Sequence, residues 1–254
     1  MENQKAVAAS NSGDVCGICH GTGWKLYEKK VDEYNSPLTY ASPCPKCYKH
    51  LILRENNGIP EGCRDMDLYR FDFGKYNIDM SQMEKLMWNY FNRYGTGVLE
   101  GKGLYLWSRT AGSGKTFLAC CLAQSLALKY GLQVRFVTAP DYLSVVGESY
   151  KRQEGFLDKS KVYRECDLLI FDDIGAQKGG EWPKQELFKL INARMESRKV
   201  TLFTSNVEPS ELNVDDRTIS RIESTSIVLS MPEKSIRKEI REKEQKKIIN
   251  ELLS

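Results

Sequence analysis

The chain has 254 residues, of which 41% are hydrophobic, 28% charged and 10% aromatic, and this composition excludes a wholly disordered, collagenous or coiled-coil protein. The 37 Lys and Arg against 34 Asp and Glu give a formal net charge of +3, which is too small to indicate nucleic-acid binding by itself. The longest apolar run, Phe117 to Ala123, has seven residues; because a membrane span needs about 20, we expect a soluble, cytoplasmic protein with no membrane partner.

The first predicted element is a metal-binding module near the N-terminus. Two Cys-x2-Cys pairs, separated by 24 residues, are formed by Cys16, Cys19, Cys44 and Cys47. Two such pairs can place four thiolates tetrahedrally around one zinc ion. Two disulfides or a thioredoxin-like redox pair are the alternatives, and a reducing intracellular environment favours zinc. We therefore predict a zinc-binding module over residues 1–50. The other cysteines lack ligand spacing and are interpreted as buried or incidental thiols: Cys63, Cys120, Cys121 and Cys166.

Residues 51–98 are interpreted as a connector that includes one helix. A cluster of helix-breaking residues, Asn56 to Pro60, precedes a stretch rich in Tyr, Phe and Asp. From Ser81 to about Tyr94, methionine and aromatic residues recur at helical spacing, and two glycines follow. We expect this stripe to pack in the core.

Residues 99–254 alternate short apolar runs with helical segments, which indicates a parallel sheet built from strand-helix-strand units. Five strands are predicted, at 104–107, 134–137, 168–171, 200–204 and 226–229, with helices near 116–130, 140–150, 182–198 and 216–223. The predicted fold is therefore α/β, with a five-stranded parallel sheet. The last segment, 232–254, mixes charged residues with a weak apolar stripe; we interpret it as a solvated helix, the alternative being a nucleic-acid-binding arm.

The segment after the first of these strands predicts a phosphate-binding loop. Residues 108–116 read Ser-Arg-Thr-Ala-Gly-Ser-Gly-Lys-Thr and lead into a helix. Backbone N–H groups in such a loop can surround phosphates, while the lysine reaches the β and γ phosphates and the threonine holds Mg²⁺. The predicted nucleotide-binding residues are Gly112, Ser113, Gly114, Lys115, Thr116 and Phe117. Arg109 replaces the first glycine of the motif; a negative φ would accommodate it, and its charge would lie near the phosphates.

Polar residues also follow two later strands. Asp172 and Asp173 end the run at 168–171, and Asn206 follows the next strand. Strand alternation predicts that the two carboxylates point in different directions, so that Asp172 can hold Mg²⁺ while Asp173 aligns an attacking water. Asn206 can bond the γ phosphate or the water, although asparagine is also an ordinary turn residue.

Two arginines of a later helix, Arg217 and Arg221, are spaced i and i+4 and are expected on one face. They can form surface ion pairs with Asp215 and Asp216. Alternatively, an arginine at this position can complete the site of a neighbouring subunit. The spacing leaves both interpretations open.

Together these segments resemble the AAA+ ATPases of the DnaC/DnaI helicase-loader and IstB-like group. The resemblance extends over about residues 57–238 and is carried by segments 57–60, 108–116, 168–175, 187–206 and 215–222. It implies an AAA+ P-loop ATPase in which Lys115 contacts the phosphates and Asp172 is associated with Mg²⁺. It further implies roles for Asp173 in activating water, for Asn206 in sensing the γ phosphate, for Arg221 in acting on a neighbour's ATP, and for Arg237 as a second sensor. Many AAA+ proteins have Asp-Glu where this chain has Asp172-Asp173. The first cysteine pair also resembles one repeat of the DnaJ zinc domain.

The function implied by the resemblance is helicase loading for a phage or mobile element. Such an ATPase self-associates in a ring or spiral, binds single-stranded DNA and delivers a hexameric replicative helicase. Residues 141–164, which include Lys151, Lys159 and Tyr163, combine cations with aromatic rings and are a candidate surface for single strands, the alternative being an exposed helical hairpin. An IstB-like transposition helper and a nucleotide-switched DNA-binding adaptor with negligible turnover remain alternative functions.

Overall fold

A computed structural model describes residues 16–20, 24–29, 38–44, 58–64, 66–151, 158–177 and 179–253. The chain divides into two compact units, Met1–Asn56 and Asn57–Ser254, and each is taken separately. The division into a module at 1–50, a connector at 51–98 and an ATPase domain at 99–254 stays a prediction.

The first unit contains an antiparallel hairpin, in which β1 (Trp24–Lys29) pairs with β2 (Leu38–Pro43). Trp24 lies opposite Pro43, so Cys44 follows β2 at the end of the hairpin where β1 begins. The segment of the first cysteine pair forms a turn, closed by a 2.8 Å hydrogen bond from the N–H of His20 to the carbonyl oxygen of Cys16. The hairpin therefore brings segments of both cysteine pairs to one end.

The second unit is built on a five-stranded parallel sheet. Its strands are β3 (Gly103–Trp107), β4 (Val134–Thr138), β5 (Leu168–Asp172), β6 (Val200–Ser205) and β7 (Ser226–Ser230). They lie side by side in the order β4-β5-β6-β3-β7, and every adjacent pair is parallel. The predicted α/β fold and all five strands are confirmed. Strands β5 and β6 are buried along their whole length, which explains why they appear in the sequence as unbroken apolar runs.

Seven α-helices are described around the sheet and before it. They are α1 (Ser81–Arg93), α2 (Lys115–Tyr130), α3 (Ala139–Lys151), α4 (Lys161–Glu165), α5 (Glu181–Glu196), α6 (Asp216–Thr225) and α7 (Ile236–Leu253). Short 3-10 turns occur at Glu61–Cys63, Leu68–Arg70, Phe73–Tyr76 and Pro209–Glu211. No helix within the described ranges combines the length and apolar character needed to cross a membrane.

One hydrophobic core lies between the sheet and helices α3, α5 and α6. Aromatic rings of three adjacent strands form a chain through it, with ring centroids 6.1 Å apart for Tyr105 and Phe203 and 6.2 Å apart for Phe203 and Phe171. Tyr142 of α3 contacts Phe171 edge-on at 5.7 Å. In α1, Met87 is buried, as expected for its methionine and aromatic stripe. The packed sheet fixes the carboxyl ends of β3, β5 and β6 next to one another.

Arg194 of α5 is one of the largest fully buried side chains. Its Nε donates to Thr201 Oγ1 at 2.9 Å and its Nη2 to the carbonyl oxygen of Val200 at 2.6 Å. Its Nη1 donates to the carbonyl oxygens of Tyr163 at 2.7 Å and Cys166 at 2.9 Å. Burial lowers the pKa of the guanidinium. The side chain thus links the segment before β5 to the beginning of β6.

Candidate functional site

A cavity of about 990 Å³ lies in the second unit at the carboxyl ends of β3, β5 and β6. Its walls are formed by the phosphate loop, the ends of the strands, the 3-10 turns of the connector and the first half of α7. The lining residues that the sequence predicts are Gly112, Ser113, Gly114, Lys115, Thr116, Phe117, Asp172, Asp173, Asn206 and Arg237. The fold therefore gathers one loop, two strand ends and one helix around a common space.

The phosphate loop has the backbone conformation that its glycines allow. Gly112 has φ +78° and Gly114 has φ +93°, in the left-handed region that favours glycine. Lys115 begins α2, and its Nζ donates to the carbonyl oxygens of Ser108 and Thr110, each at 3.1 Å. Burial lowers the pKa of Lys115, although nearby carboxylates act in the opposite direction. The ammonium group therefore lies inside the loop, where it can bind an anion.

Asp172 is the centre of a hydrogen-bonded group at the end of β5. Its Oδ1 accepts hydrogen bonds from Thr116 Oγ1 at 2.7 Å and from Thr204 Oγ1 at 2.6 Å. Burial raises the pKa of Asp172, and the two hydroxyl donors oppose that shift. Thr116 and Asp172 are the two predicted Mg²⁺ ligands, and oxygen donors suit that ion. These residues therefore fit a magnesium site beside the phosphate loop.

Strand alternation does not extend to Asp173, so the physical reason given for the different directions of the two carboxylates is wrong. Strand β5 ends at Asp172, and Asp173 has φ +53°, a left-handed turn conformation. The N–H of Asp173 donates to Thr204 Oγ1 at 3.0 Å, and both carboxylates line the same cavity. They differ in environment instead, because Asp172 is buried and bonded while Asp173 is only half-buried.

Arg109 does not extend toward the phosphate side. Its Nη2 forms a 2.7 Å ion pair with Glu211 Oε1, and Arg109 is not among the described residues that line the cavity. The expectation that it adds charge near the phosphates is therefore wrong. Its φ is not positive, so the loop accommodates a non-glycine residue here, as predicted. Its N–H donates to Glu233 Oε1 at 2.8 Å, which ties the loop to the segment before α7.

The connector and α7 both contact the phosphate loop; the resemblance gives Arg237 of α7 a role at this site, but no sequence motif indicates the contact of the connector. Tyr76 Oη donates to the carbonyl oxygen of Ser113 at 2.6 Å. On the other side, the N–H of Arg237 donates to the carbonyl oxygen of Gly112 at 3.2 Å, and a Cβ on Gly112 would lie 2.9 Å from Arg237 Cβ. For the wall that the connector forms, the signal in the sequence is the concentration of aromatic residues before Ser81.

Arg221 lies on α6, outside the described lining of the cavity. Its Nε donates to Asn192 Oδ1 at 2.6 Å, and its guanidinium carbon lies 4.5 Å from the ring centroid of Phe188. The guanidinium of Arg217 lies 4.8 Å from the same ring, so the two arginines share one face, as predicted. Arg217 also lies 3.8 Å from Asp215, so the surface-pair interpretation holds for that residue.

Of the two interpretations of the segment 141–164, the exposed helical hairpin is wrong for helix α3, and a surface for single strands stays a prediction. Helix α3 contributes Tyr142, Leu143 and Val146 to the core, so it is not part of an exposed hairpin. Tyr163 packs against the same core and contacts Tyr142 edge-on at 5.7 Å, which leaves its ring committed and not free to stack on bases. Residues 152–157 and the side chain of Lys151 lie outside what is described. A contribution of Lys151 and Lys159 to DNA binding stays a prediction.

The three described cysteines of the predicted zinc module converge. The sulfur atoms of Cys16, Cys19 and Cys44 all lie within 4.8 Å of one another, and those of Cys16 and Cys44 are 3.8 Å apart. Zinc–sulfur bonds of about 2.3 Å in a tetrahedron place sulfurs about 3.8 Å apart, whereas a disulfide needs about 2.0 Å. Backbone N–H groups of Cys19 and Ile18 lower the pKa of the Cys16 thiol, which favours the thiolate that binds metal. These cysteines fit one zinc ion; Cys47 lies outside the described residues.

The remaining cysteines agree with their predicted structural role. Cys120, Cys121 and Cys166 are buried, and burial raises the pKa of Cys121 to about 12. Cys63 is half-buried and lines the cavity.

Comparisons with known proteins agree with this architecture. The family model of the IstB-like ATP binding protein matches residues 71–242. The chromosomal replication initiator protein DnaA of Bordetella pertussis is 35% identical over 129 residues, which are 50% of this chain and 27% of that protein. The crystal structure of a DNA replication initiation factor has a TM-score of 0.55 and 25% identity, covering 72% of this chain and 55% of that one. The crystal structure of the DnaC helicase loader has a TM-score of 0.59 and 18% identity, covering 68% of this chain and 100% of that one, and this likeness shows the fold alone.

Proposed function

The chain belongs to the IstB-like ATP-binding protein family, and from this premise we propose that it is an ATPase that loads a hexameric replicative helicase onto single-stranded DNA. The observation that carries the proposal is the cavity in which the phosphate loop, Asp172, Asp173 and Asn206 meet. The DnaC helicase loader has the same fold over 68% of this chain and 100% of its own length, and the choice of a loader is consistent with that fold.

Each group at the cavity has a proposed task in hydrolysis. ATP with Mg²⁺ supplies the γ-phosphoryl group that is transferred to water. Lys115 and the loop N–H groups bind the phosphates, while Thr116 and Asp172 hold the ion. Asp173, which is half-buried and lines the same cavity, orients the water and accepts its proton. Asn206 forms a hydrogen bond with the γ phosphate. Arg237 of α7, which is adjacent to Gly112, acts as the second sensor of that phosphate.

We assign Arg221 to a neighbouring subunit's nucleotide. Its guanidinium is held by Asn192 and by the ring of Phe188, and it lies on a helix that does not line its own cavity among the described residues. A site completed in this way makes hydrolysis depend on self-association in a ring or spiral. The subunits of that assembly would present several weak basic surfaces along one DNA strand, which multiplies affinity through effective concentration.

The zinc module at residues 1–50 is the proposed docking element for the helicase. The convergence of three cysteines supports the zinc site, and a metal can stabilise a segment too short for a large core, whereas the docking role is proposed from the resemblance to loaders alone. The proposed division therefore assigns partner binding to residues 1–50, linkage to 51–98 and ATP hydrolysis to 99–254.

The deciding experiment measures binding to labelled single-stranded and duplex oligonucleotides by fluorescence anisotropy, with ATP or with ADP, together with phosphate release. A loader binds single strands more tightly with ATP and loses that affinity steeply with added salt. Stimulation of phosphate release by single strands separates it from an adaptor that uses ATP only as a switch.

The second candidate is an IstB-like transposition helper, which the matching family model favours. It would use the same ATPase residues on target DNA. Equal affinity with ATP and ADP, or tighter binding to duplex than to single strands, would select this function over helicase loading.

A further inference from the structure

We infer that Tyr76 is a positioning residue for nucleotide binding: its hydroxyl fixes the orientation of the peptide between Ser113 and Gly114, so that the N–H of Gly114 faces the bound phosphates. The inference rests on the nucleotide site of the proposed function. It adds a residue outside the phosphate-loop motif that determines how well the loop binds phosphate.

The first step is the hydrogen bond itself. Tyr76 Oη donates to the carbonyl oxygen of Ser113 at 2.6 Å, and Tyr76 is only 3% exposed. Burial raises the pKa of Tyr76 to about 12, so the hydroxyl keeps its proton at neutral pH and remains a donor. The ring is held in turn by Phe71, whose centroid lies 6.3 Å away in a stacked arrangement. The donor is therefore fixed in place by packing before any ligand binds.

The second step follows from peptide geometry. The peptide group is planar, and no cis bond occurs in the described residues, so a carbonyl and the N–H that follows it point in opposite directions. Holding the oxygen of Ser113 toward Tyr76 turns the N–H of Gly114 away from Tyr76. Among the described residues, none accepts a hydrogen bond from the N–H groups of Gly112, Ser113 or Gly114. These donors are thus available for an anion.

The third step concerns Gly114, which approaches Tyr76 closely. A Cβ at this position would lie 2.5 Å from Tyr76 Oη. Its φ of +93° already favours glycine, and the tyrosine adds a second, steric reason. With Tyr76 in this place, position 114 of the loop therefore accommodates only glycine.

The chain offers a matched control in Tyr90. This tyrosine is also 3% exposed, and its Oη also donates to a backbone carbonyl at 2.6 Å, that of Lys102. Tyr90 is not among the described residues that line the cavity. Replacing either tyrosine by phenylalanine removes one buried hydroxyl with the same kind of bond, but only Tyr76→Phe removes it from the phosphate loop.

The experiment measures ADP and adenosine binding to the full chain by calorimetry, for wild type, Tyr76→Phe and Tyr90→Phe. Tyr76→Phe should weaken ADP binding about 5- to 10-fold, the effect of one lost hydrogen bond and a less constrained phosphate contact. Adenosine, which has no phosphate, should bind within about twofold of wild type, and Tyr90→Phe should change neither affinity. The rise in melting temperature on adding ADP provides a second readout. It also serves for a variant that is partly unfolded before ADP is added.

The outcomes separate this inference from the proposed function. If wild type binds ADP but Tyr76→Phe binds it equally well, or loses adenosine affinity by the same factor, the positioning role is refuted and the nucleotide site stands. A wild-type chain that fails to bind ADP would overturn the nucleotide site and the inference with it. An equal loss of ADP affinity in Tyr90→Phe would attribute the effect to general destabilisation and also refute the inference.

Discussion

Replacing Arg194 by methionine should destabilise the second unit, Asn57–Ser254, strongly while leaving the nucleotide site intact. The substitution keeps a long, flexible side chain but removes every donor. The buried carbonyl oxygens of Cys166 and Val200 then lose this donor, and so does the part-buried carbonyl oxygen of Tyr163, which also accepts from Cys166 Sγ. Each buried acceptor without a partner costs about 1 to 3 kcal/mol.

The net loss is smaller than that sum, because methionine also removes the cost of burying a charge, which is the cause of the lowered pKa of Arg194. We expect the free energy of unfolding to fall by about 3 kcal/mol. For a unit of this size that corresponds to a drop in melting temperature of about 6 to 12 °C. Arg194→Lys should lose at least as much, since a lysine keeps the charge but lacks the planar set of donors.

The assay is urea unfolding followed by circular dichroism, with Arg198→Met as the matched control. Arg198 pairs with Glu100 at 2.8 Å, but both side chains are exposed, so its loss should cost less than about 1 kcal/mol. An Arg194→Met protein within 1 kcal/mol of wild type would refute the reasoning. In folded Arg194→Met protein the affinity for ADP should stay within about threefold of wild type, because the guanidinium lies at the end of β5 and β6 opposite Asp172.

Four further outcomes are expected. Cys44→Ser should abolish stoichiometric zinc and unfold the first unit while ADP still binds, as read by metal analysis and calorimetry; a wild-type protein whose first unit is folded without zinc, with four titratable thiols, would contradict this. Lys115→Ala should lose ATP binding, whereas Asp173→Asn should keep binding and lose hydrolysis, and normal phosphate release by Asp173→Asn would show that another group orients the water. Mixing Arg221→Ala with Lys115→Ala protein should restore part of the hydrolysis, since a finger arginine contributes about 10³ to 10⁵ in rate in GTPases; co-assembled mixtures with no recovery would argue against action in trans. Burial acts to raise the pKa of Asp167, but Lys199 at 2.7 Å and the N–H of Gln133 lower it more, so the pKa is lower in the folded protein. The contribution of Asp167 to the stability of the folded protein is therefore present above about pH 3.9 and is lost as pH falls through the folded pKa. Asp167→Asn should therefore lower stability at pH 7 by less than about 1 kcal/mol and flatten the acid dependence, as measured by urea unfolding at several pH values.

The sequence predicts those parts of the site that depend on local rules. The phosphate loop follows from a motif, and β5 and β6 are recognisable because both faces of these strands are buried. Asp173 shows the limit of such rules, since alternation holds only inside a strand and the chain turns immediately after Asp172.

The parts that could not be predicted are contacts between distant segments. Thr204 contacts Asp172 from the neighbouring strand, and Tyr76 contacts Ser113 across 37 positions of the chain, and no sequence spacing indicates either bond. The helix predicted near 140–150 is present as α3, but its interpretation as part of an exposed hairpin is wrong for a related reason. The apolar spacing of Tyr142, Leu143 and Val146 is a stronger physical signal than the lysines at and beyond its end, and it places α3 in the core.

The contact between α7 and the phosphate loop also sets a thermodynamic relation between the ligand and whatever the protein touches. The bond from the N–H of Arg237 to Gly112 and the bond from Arg109 to Glu233 join the nucleotide loop to the helix and to the segment that leads into it. Helix α7 has no buried residue, so it is held mainly through its first turns. Any macromolecule that displaces this helix and thereby changes ATP affinity by some factor must itself bind more or less tightly by the same factor when ATP is present. The phosphate loop therefore couples the two sites reciprocally. Displacement of α7 changes the affinity for the nucleotide, and bound nucleotide changes by the same factor the affinity for whatever displaces α7.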